Sequence, residues 1–105
     1  MSQIKNPYLE QSEWGWTVDP IGFRITLNHI YDRYHLPIFI SENGLGAVDT
    51  PDENGWIEDD YRIDYLKRHV ERLAEALKDG VEVFGYAWWG PIDLVSSGTS
   101  EMRKR

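Results

Sequence analysis

A chain of 105 residues with 41% apolar side chains has room for one domain and a modest core. Eighteen acidic against eleven basic residues give a net charge of −7. With no long basic run this argues against nucleic acid and anionic membrane surfaces, which need clustered Lys and Arg. The absence of cysteine removes disulfides, thiolate metal sites and a cysteine nucleophile, and with no long apolar run a soluble, cytoplasmic protein is expected.

Residues 1–18 hold no clear period, and Trp14-Gly15-Trp16 reads as a buried loop anchor slightly more readily than as a binding platform. Asp19-Pro20 is a strong helix start: the Asp caps free backbone N–H groups, and proline at the first position loses no bond. Phe23, Leu27, Ile30, Tyr31 and Tyr34 then recur at three and four residues, so the spacing predicts a helix over 20–34. Pro37 prevents its continuation.

Ile38-Phe39-Ile40 has the β-branched and aromatic character of a strand packed on both faces, and it runs into Ser41-Glu42-Asn43-Gly44, a carboxylate followed by a turn pair. Glu42 is thereby expected at the C-terminal end of a strand, the edge at which α/β folds place their chemistry. Residues 43–58 form a long acidic connection with three glycines. Its Gly55-Trp56-Ile57 is equally suited to closing over a site and to pinning the loop.

Asp59 or Asp60 is expected to cap the next helix, with Ile63, Leu66, Val70, Leu73, Ala74 and Leu77 toward the core and Asp64/Arg68 and Lys67/Glu71 as four-apart charge pairs. Asp79-Gly80 ends it. Val81 to Trp89 reads as a second, mostly buried strand delivering Trp88 and Trp89 to its end. Helix, strand, long loop, helix, strand is one and a half repeats of a βα fold, with the two strands parallel and joined by a right-handed crossover.

Other candidates are bland. His29, His35 and His69 form no spaced cluster with carboxylates, so no metal is expected. Gly44-x-Gly46 lacks the third glycine and immediate helix of a dinucleotide site, and no cofactor is expected. In the tail, Ser96, the Gly98 turn and a lysine suit one phosphate, although a frayed polar terminus explains the same residues.

Ile40-Ser41-Glu42-Asn43-Gly44 resembles the I-x-E-N-G signature of family 1 β-glycosidases, whose matching Glu is the catalytic nucleophile. Asp60 to Leu66 and Gly85-Tyr86-Ala87-Trp88-Trp89-Gly90-Pro91-Ile92-Asp93 fall where that family has its next helix and its eighth barrel strand. The resemblance implies a partial (β/α)8 barrel, the last βα units only, and the unpaired edges of so short a sheet lead to the expectation that it is completed by oligomerisation. It also implies that Trp89, preceded by Trp88, packs on the sugar ring. Members acting on unphosphorylated sugars carry Glu-Trp where this chain has Ser96-Ser97. A Ser there looks like the 6-phospho-β-glucosidase branch, in which Ser96 and Lys104 would hold the sugar 6-phosphate.

That chemistry needs a second carboxylate about 5–5.5 Å from the nucleophile. The family's acid/base Glu lies in an Asn-Glu-Pro motif that this sequence does not contain. Three readings follow: a fragment of a 6-phospho-β-glucosidase, inactive in isolation; a noncatalytic sugar-phosphate-binding module; and an α/β protein that pairs its open sheet edges with another copy. A plain β-glucosidase fragment is the further alternative.

Overall fold

The computed structural model of the chain describes residues 6–13, 15–47 and 49–92. The candidate phosphate residues Ser96 and Lys104 lie outside the described residues, as does Trp14. Six elements follow one another: β1 (Glu10–Gln11), β2 (Thr17–Val18), α1 (Pro20–Tyr34), β3 (Ile38–Asn43), α2 (Asp60–Lys78) and β4 (Val83–Trp88).

The first eighteen residues, which show no periodicity, nonetheless contain an antiparallel pair, β1 with β2. Two-residue strands are too short to show alternation. What closes the hairpin is backbone chemistry: Ser12 N–H donates to the Trp16 carbonyl at 2.8 Å, and Gly15 takes φ +77°. Asp19 then caps α1 as its type demands, accepting from Gly22 N–H at 2.9 Å. The helix ends at Tyr34 because His35 turns left-handed (φ 50°) and returns its N–H to the Tyr31 carbonyl.

β3 and β4 pair in parallel, with α2 as the crossover between them. Their main core is Leu27 from α1, Ile40 from β3, Ala76 from α2 and Val81, with Phe23, Tyr31, Ile38, Leu73, Val83 and Tyr86 packed around it. Both helices therefore cover the same face of the sheet. The opposite face is bare, with Phe39 51% and Phe84 71% exposed and their rings 5.5 Å apart. The expectation of a strand packed on both faces is corrected accordingly: Ile40 is buried, and its neighbour is not. Gly85 lies beneath the Phe39 ring, where a Cβ would come within 2.3 Å of it.

The phase of α2 also differs from expectation. Tyr65, His69 and Ala76 are buried with Leu73 beside them, whereas Ile63, Val70 and Leu77 are exposed and Ala74 lies on the exposed side. Apolar character marks two sides of this helix, and the line of Ile63, Val70 and Leu77 is the exposed one. Tyr65 and His69 occupy the inner face because each places a polar atom: His69 Nδ1 lies 2.8 Å from the Tyr65 carbonyl, and the two rings stack at 3.9 Å. Asp59 stands at the N-cap of α2 without a capping bond, since its carboxylate takes Arg62 Nη1 at 2.7 Å instead. The expected pairs form, Asp64 with Arg68 at 3.4 Å and Lys67 with Glu71 at 4.0 Å.

β4 begins two residues later than expected. Gly80 (φ +100°) and Val81 close the end of α2, with Val81 N–H on the Ala76 carbonyl, and Val81 enters the core before the strand starts. A radius of gyration of 15.5 Å, against about 13 Å for a compact domain of this length, fits a slab that is covered on one side. Among the described residues no helix is long and apolar enough to cross a membrane.

Candidate active site

The C-terminal tips of β3 and β4 carry the candidate residues. Register decides how they are presented. Ile40 is paired with Tyr86 and Asn43 with Trp88, so three steps along β3 match two along β4. The register therefore shifts by one residue, as at a β-bulge, a device that re-aims side chains at sheet ends. Ile40 before it is buried, and Asn43 after it reaches Tyr65 of α2. Between them Ser41 and Glu42 are both exposed. Strict alternation would have put one of this consecutive pair on the helix-covered side.

Asn43 is held from three directions. Its Oδ1 accepts from the Tyr86 hydroxyl at 2.6 Å, its Nδ2 lies 3.4 Å from the Tyr65 hydroxyl, and its carbonyl accepts from Trp89 N–H at 2.9 Å. Burial pushes the Tyr86 phenol up to about 12, with Tyr65 adding to the shift, and burial likewise raises Tyr65. Both hydroxyls therefore keep their protons at neutral pH. His69, desolvated behind Tyr65 and packed 5.4 Å from Phe23, is lowered from 6.5 and stays a neutral ring.

Gly44 follows at the point of closest approach between the strand tips. A Cβ there would stand 2.7 Å from the Trp89 carbonyl oxygen, so no larger residue fits without moving β4. The two tryptophans have separate surroundings. Trp88 packs edge-on to Tyr65 at 5.9 Å, against a second core cluster of Val18, Leu45 and Tyr65, and lines a cleft of about 280 Å³ with Arg62 and Asp49. Trp89 lies with its ring 5.8 Å from Trp16. Trp16, for which the sequence slightly favoured a buried loop anchor, is thus a partly exposed ring beside the candidate site, and the hairpin β1–β2 carries it there.

The acidic connection after β3 is tied down at its base. Asp49 takes both Tyr61 and Arg62 at the start of α2, and burial together with Asp49 raises the Tyr61 phenol. At its tip Asp52 Oδ1 accepts from Asn54 and Trp56 N–H, while the Trp56 ring is 66% exposed. Of the two roles open to Gly55-Trp56-Ile57, pinning the loop is the one the bonds describe. Among the described residues no group of three potential metal ligands comes together.

The whole of residues 1–105 matches the model of glycosyl hydrolase family 1. The chain belongs to that family. An aryl-phospho-beta-D-glucosidase of Bacillus subtilis is 64% identical over 102 residues, covering 97% of this chain and 22% of the relative. A 6-phospho-beta-glucosidase of Dickeya chrysanthemi is 60% identical over the full chain and 23% of its own length. Among solved structures, a psychrophilic beta-glucosidase from Micrococcus antarcticus superposes with a TM-score of 0.85 at 32% identity, covering 94% of this chain and 22% of that one. The family 1 beta-glucosidase from Thermotoga maritima gives 0.85 at 29% identity, over 94% and 23%. The chain thus spans little more than a fifth of the length of the family 1 proteins it matches.

Proposed function

We propose that this chain is the C-terminal, nucleophile-bearing part of a 6-phospho-β-glucosidase that cleaves 6-phospho-β-D-glucosides with retention. Glu42 is the nucleophile in this reading. The supporting observation is its placement: an exposed carboxylate on a bulge at the C-terminal tip of a parallel strand, beside the tip that carries Trp89. An oxygen of Glu42 bonds the anomeric carbon as the bond to the aglycone breaks; a carboxylic acid about 5–5.5 Å away, from outside this sequence, protonates the leaving oxygen. Trp89 supplies the apolar platform for the sugar ring, and Trp88 precedes it on the same strand tip, packed against Tyr65.

Sequence contrast supports the phosphate. Relatives named as phospho-glucosidases are 54–64% identical, a 6-phospho-beta-galactosidase of Leptotrichia buccalis is 36% identical, and the two solved beta-glucosidases are 32% and 29% identical. Ser96 makes room for a phosphate that a Glu would repel, and Lys104 adds the counter-charge. A dianionic sugar phosphate does not cross a bilayer unaided, so in this reading the enzyme shares a compartment with the reaction that phosphorylates the sugar, the cytoplasm. No cofactor enters it.

The test is made in a barrel completed by joining this chain to the rest of a relative. The same aryl β-glucoside is offered with and without a 6-phosphate. Strong preference for the phosphorylated form is expected, falling on Ser96→Glu and Lys104→Ala; equal hydrolysis would leave a plain β-glucosidase. The isolated 105-residue chain is expected to show no turnover, since general acid help is worth about 10² to 10⁴ in rate. Release of the aryl group by that chain, abolished by Glu42→Gln, would refute this.

A second reading is carried by a different observation. Among the described residues eight apolar side chains are buried, while fifteen large ones remain exposed, Phe39, Phe84 and Ile63 among them. Self-association through the open sheet edges and the bare face follows. Sedimentation showing a compact, cooperatively folded monomer at high concentration would remove it.

A further inference from the structure

We propose that Tyr86 is a positioning residue for Glu42: its phenol, hydrogen-bonded to Asn43 across the strand pair, locks the bulge that carries the carboxylate. The inference rests on the reading of Glu42 as nucleophile and adds a residue on the neighbouring strand that the chemistry depends on without touching substrate.

Three observations carry it. First, Tyr86 meets the bulge at both ends: it is the register partner of Ile40, where pairing is lost, and its hydroxyl holds Asn43, where pairing resumes. Second, none of the described residues hydrogen-bonds the Glu42 carboxylate, so its direction is set by the main chain on either side of it. On one side Ile40 is buried in the core; on the other Asn43 is gripped by Tyr86 at 2.6 Å and by Trp89 N–H at 2.9 Å. Third, the grip is itself anchored. The Tyr86 ring packs against the core of Leu27, Ile40, Ala76 and Val81, and Tyr65 stands at 3.4 Å on the other end of the same amide, stacked on buried His69.

The 2.6 Å bond is short and shielded, whereas the 3.4 Å contact to Tyr65 is at the limit of a hydrogen bond. Tyr86 is therefore the residue whose loss frees the bulge, and Tyr65 is a lesser contributor. A misdirected carboxylate still leaves substrate binding intact, since Glu42 is one of many contacts, so the loss falls on kcat and not on KM.

Tyr86→Phe removes one oxygen and keeps the packed ring. In the completed barrel, with an activated aryl 6-phospho-β-glucoside, it is expected to lower kcat about tenfold with KM within about twofold. Tyr65→Phe should cost less than about threefold. The discriminating arm uses Glu42→Gly supplied with azide, which attacks the anomeric carbon in place of the carboxylate while the aryloxide leaves. A free nucleophile needs no bulge, so adding Tyr86→Phe to Glu42→Gly should change azide-dependent turnover less than about twofold. An equal loss in both backgrounds, or no loss in either, overturns the positioning role while the nucleophile stands. Undiminished turnover by Glu42→Gly without azide overturns both readings together. In the 105-residue chain itself, amide hydrogen exchange gives an independent check. Tyr86→Phe should speed exchange at Ser41 and Glu42 about tenfold while Leu27 and Ala76 change less than twofold; a uniform change overturns the proposal.

Discussion

The two faces of the β3–β4 sheet are built to different standards. One carries Ile38, Ile40 and Tyr86 under two helices; the other presents Phe39 and Phe84, and the exposed pair Ser41 and Glu42 follows at the strand tip. The covered face has the close packing of an ordinary protein interior. The bare face is composed like a core and has no lid. The difference teaches where the candidate chemistry belongs: Glu42, two residues beyond buried Ile40, is exposed where the register shifts, so the residue proposed to react lies at a tip of the sheet that the helices do not cover.

Substitution on the covered face should break the fold first. Leu27 is 4% exposed at the centre of the cluster, and Leu27→Ala should cost about 2–5 kcal/mol, enough to abolish a cooperative melting transition in so small a core. Calorimetry on the purified chain reads this out. The bare face should behave oppositely. Phe39→Ser with Phe84→Ser is expected to leave the helical far-ultraviolet signal within a few per cent while shifting sedimentation toward monomer, because those rings contribute to association more than to folding. A loss of helix content equal to that of Leu27→Ala would erase the contrast between faces.

Acid gives a smaller and graded effect. Burial lowers His69 below 6.5, so the unfolded chain binds that proton more readily than the folded one; its contribution is complete above 6.5 and declines as pH falls through the folded value. At the exposed end of α2, the Arg24 guanidinium and then Asn28 pull Asp79 to about 2, a contribution complete above 3.8 and lost only as pH approaches 2. Urea midpoints at pH 7.5 and 5.5 should therefore differ, and His69→Phe should flatten that difference while Asp79→Asn leaves it unchanged. A midpoint that is constant from 7.5 to 5.5 in the unsubstituted chain would contradict the burial of His69.

How much of this was legible in the sequence follows from which signals are local. The limits of α1 were readable because Asp19 and Pro20 act within one turn. The strand leading into Glu42, and its place at a strand tip, were readable from Ile38-Phe39-Ile40 and Asn43-Gly44. The inner face of α2 was misjudged because Ile63, Val70 and Leu77 are the more apolar stripe, yet Tyr65 and His69 are what the sheet side holds. Hydropathy reports that a face wants cover without reporting which neighbour provides it. The bulge was invisible, since it exists only as a mismatch between two strands forty residues apart in sequence. The hairpin that brings Trp16 to Trp89 was invisible for a different reason: its two-residue strands are too short to show alternation.

The tethering of the acidic connection has a consequence for integrity. Its base is fastened to α2 by Asp49 through Tyr61 and Arg62, and its tip is a small closed turn around Asp52 with Gly55 at φ +75°. A protease that nicked the backbone at Asn54-Gly55 would sever the chain at a point where nothing depends on continuity. The half ending near residue 54 would stay bound through β3, through α1 and through Asp49; the half beginning near residue 55 would stay bound through α2 and β4. The nicked molecule would run as two bands on a denaturing gel and as one particle in native solution, a natural split point for reassembling the unit from separately made pieces.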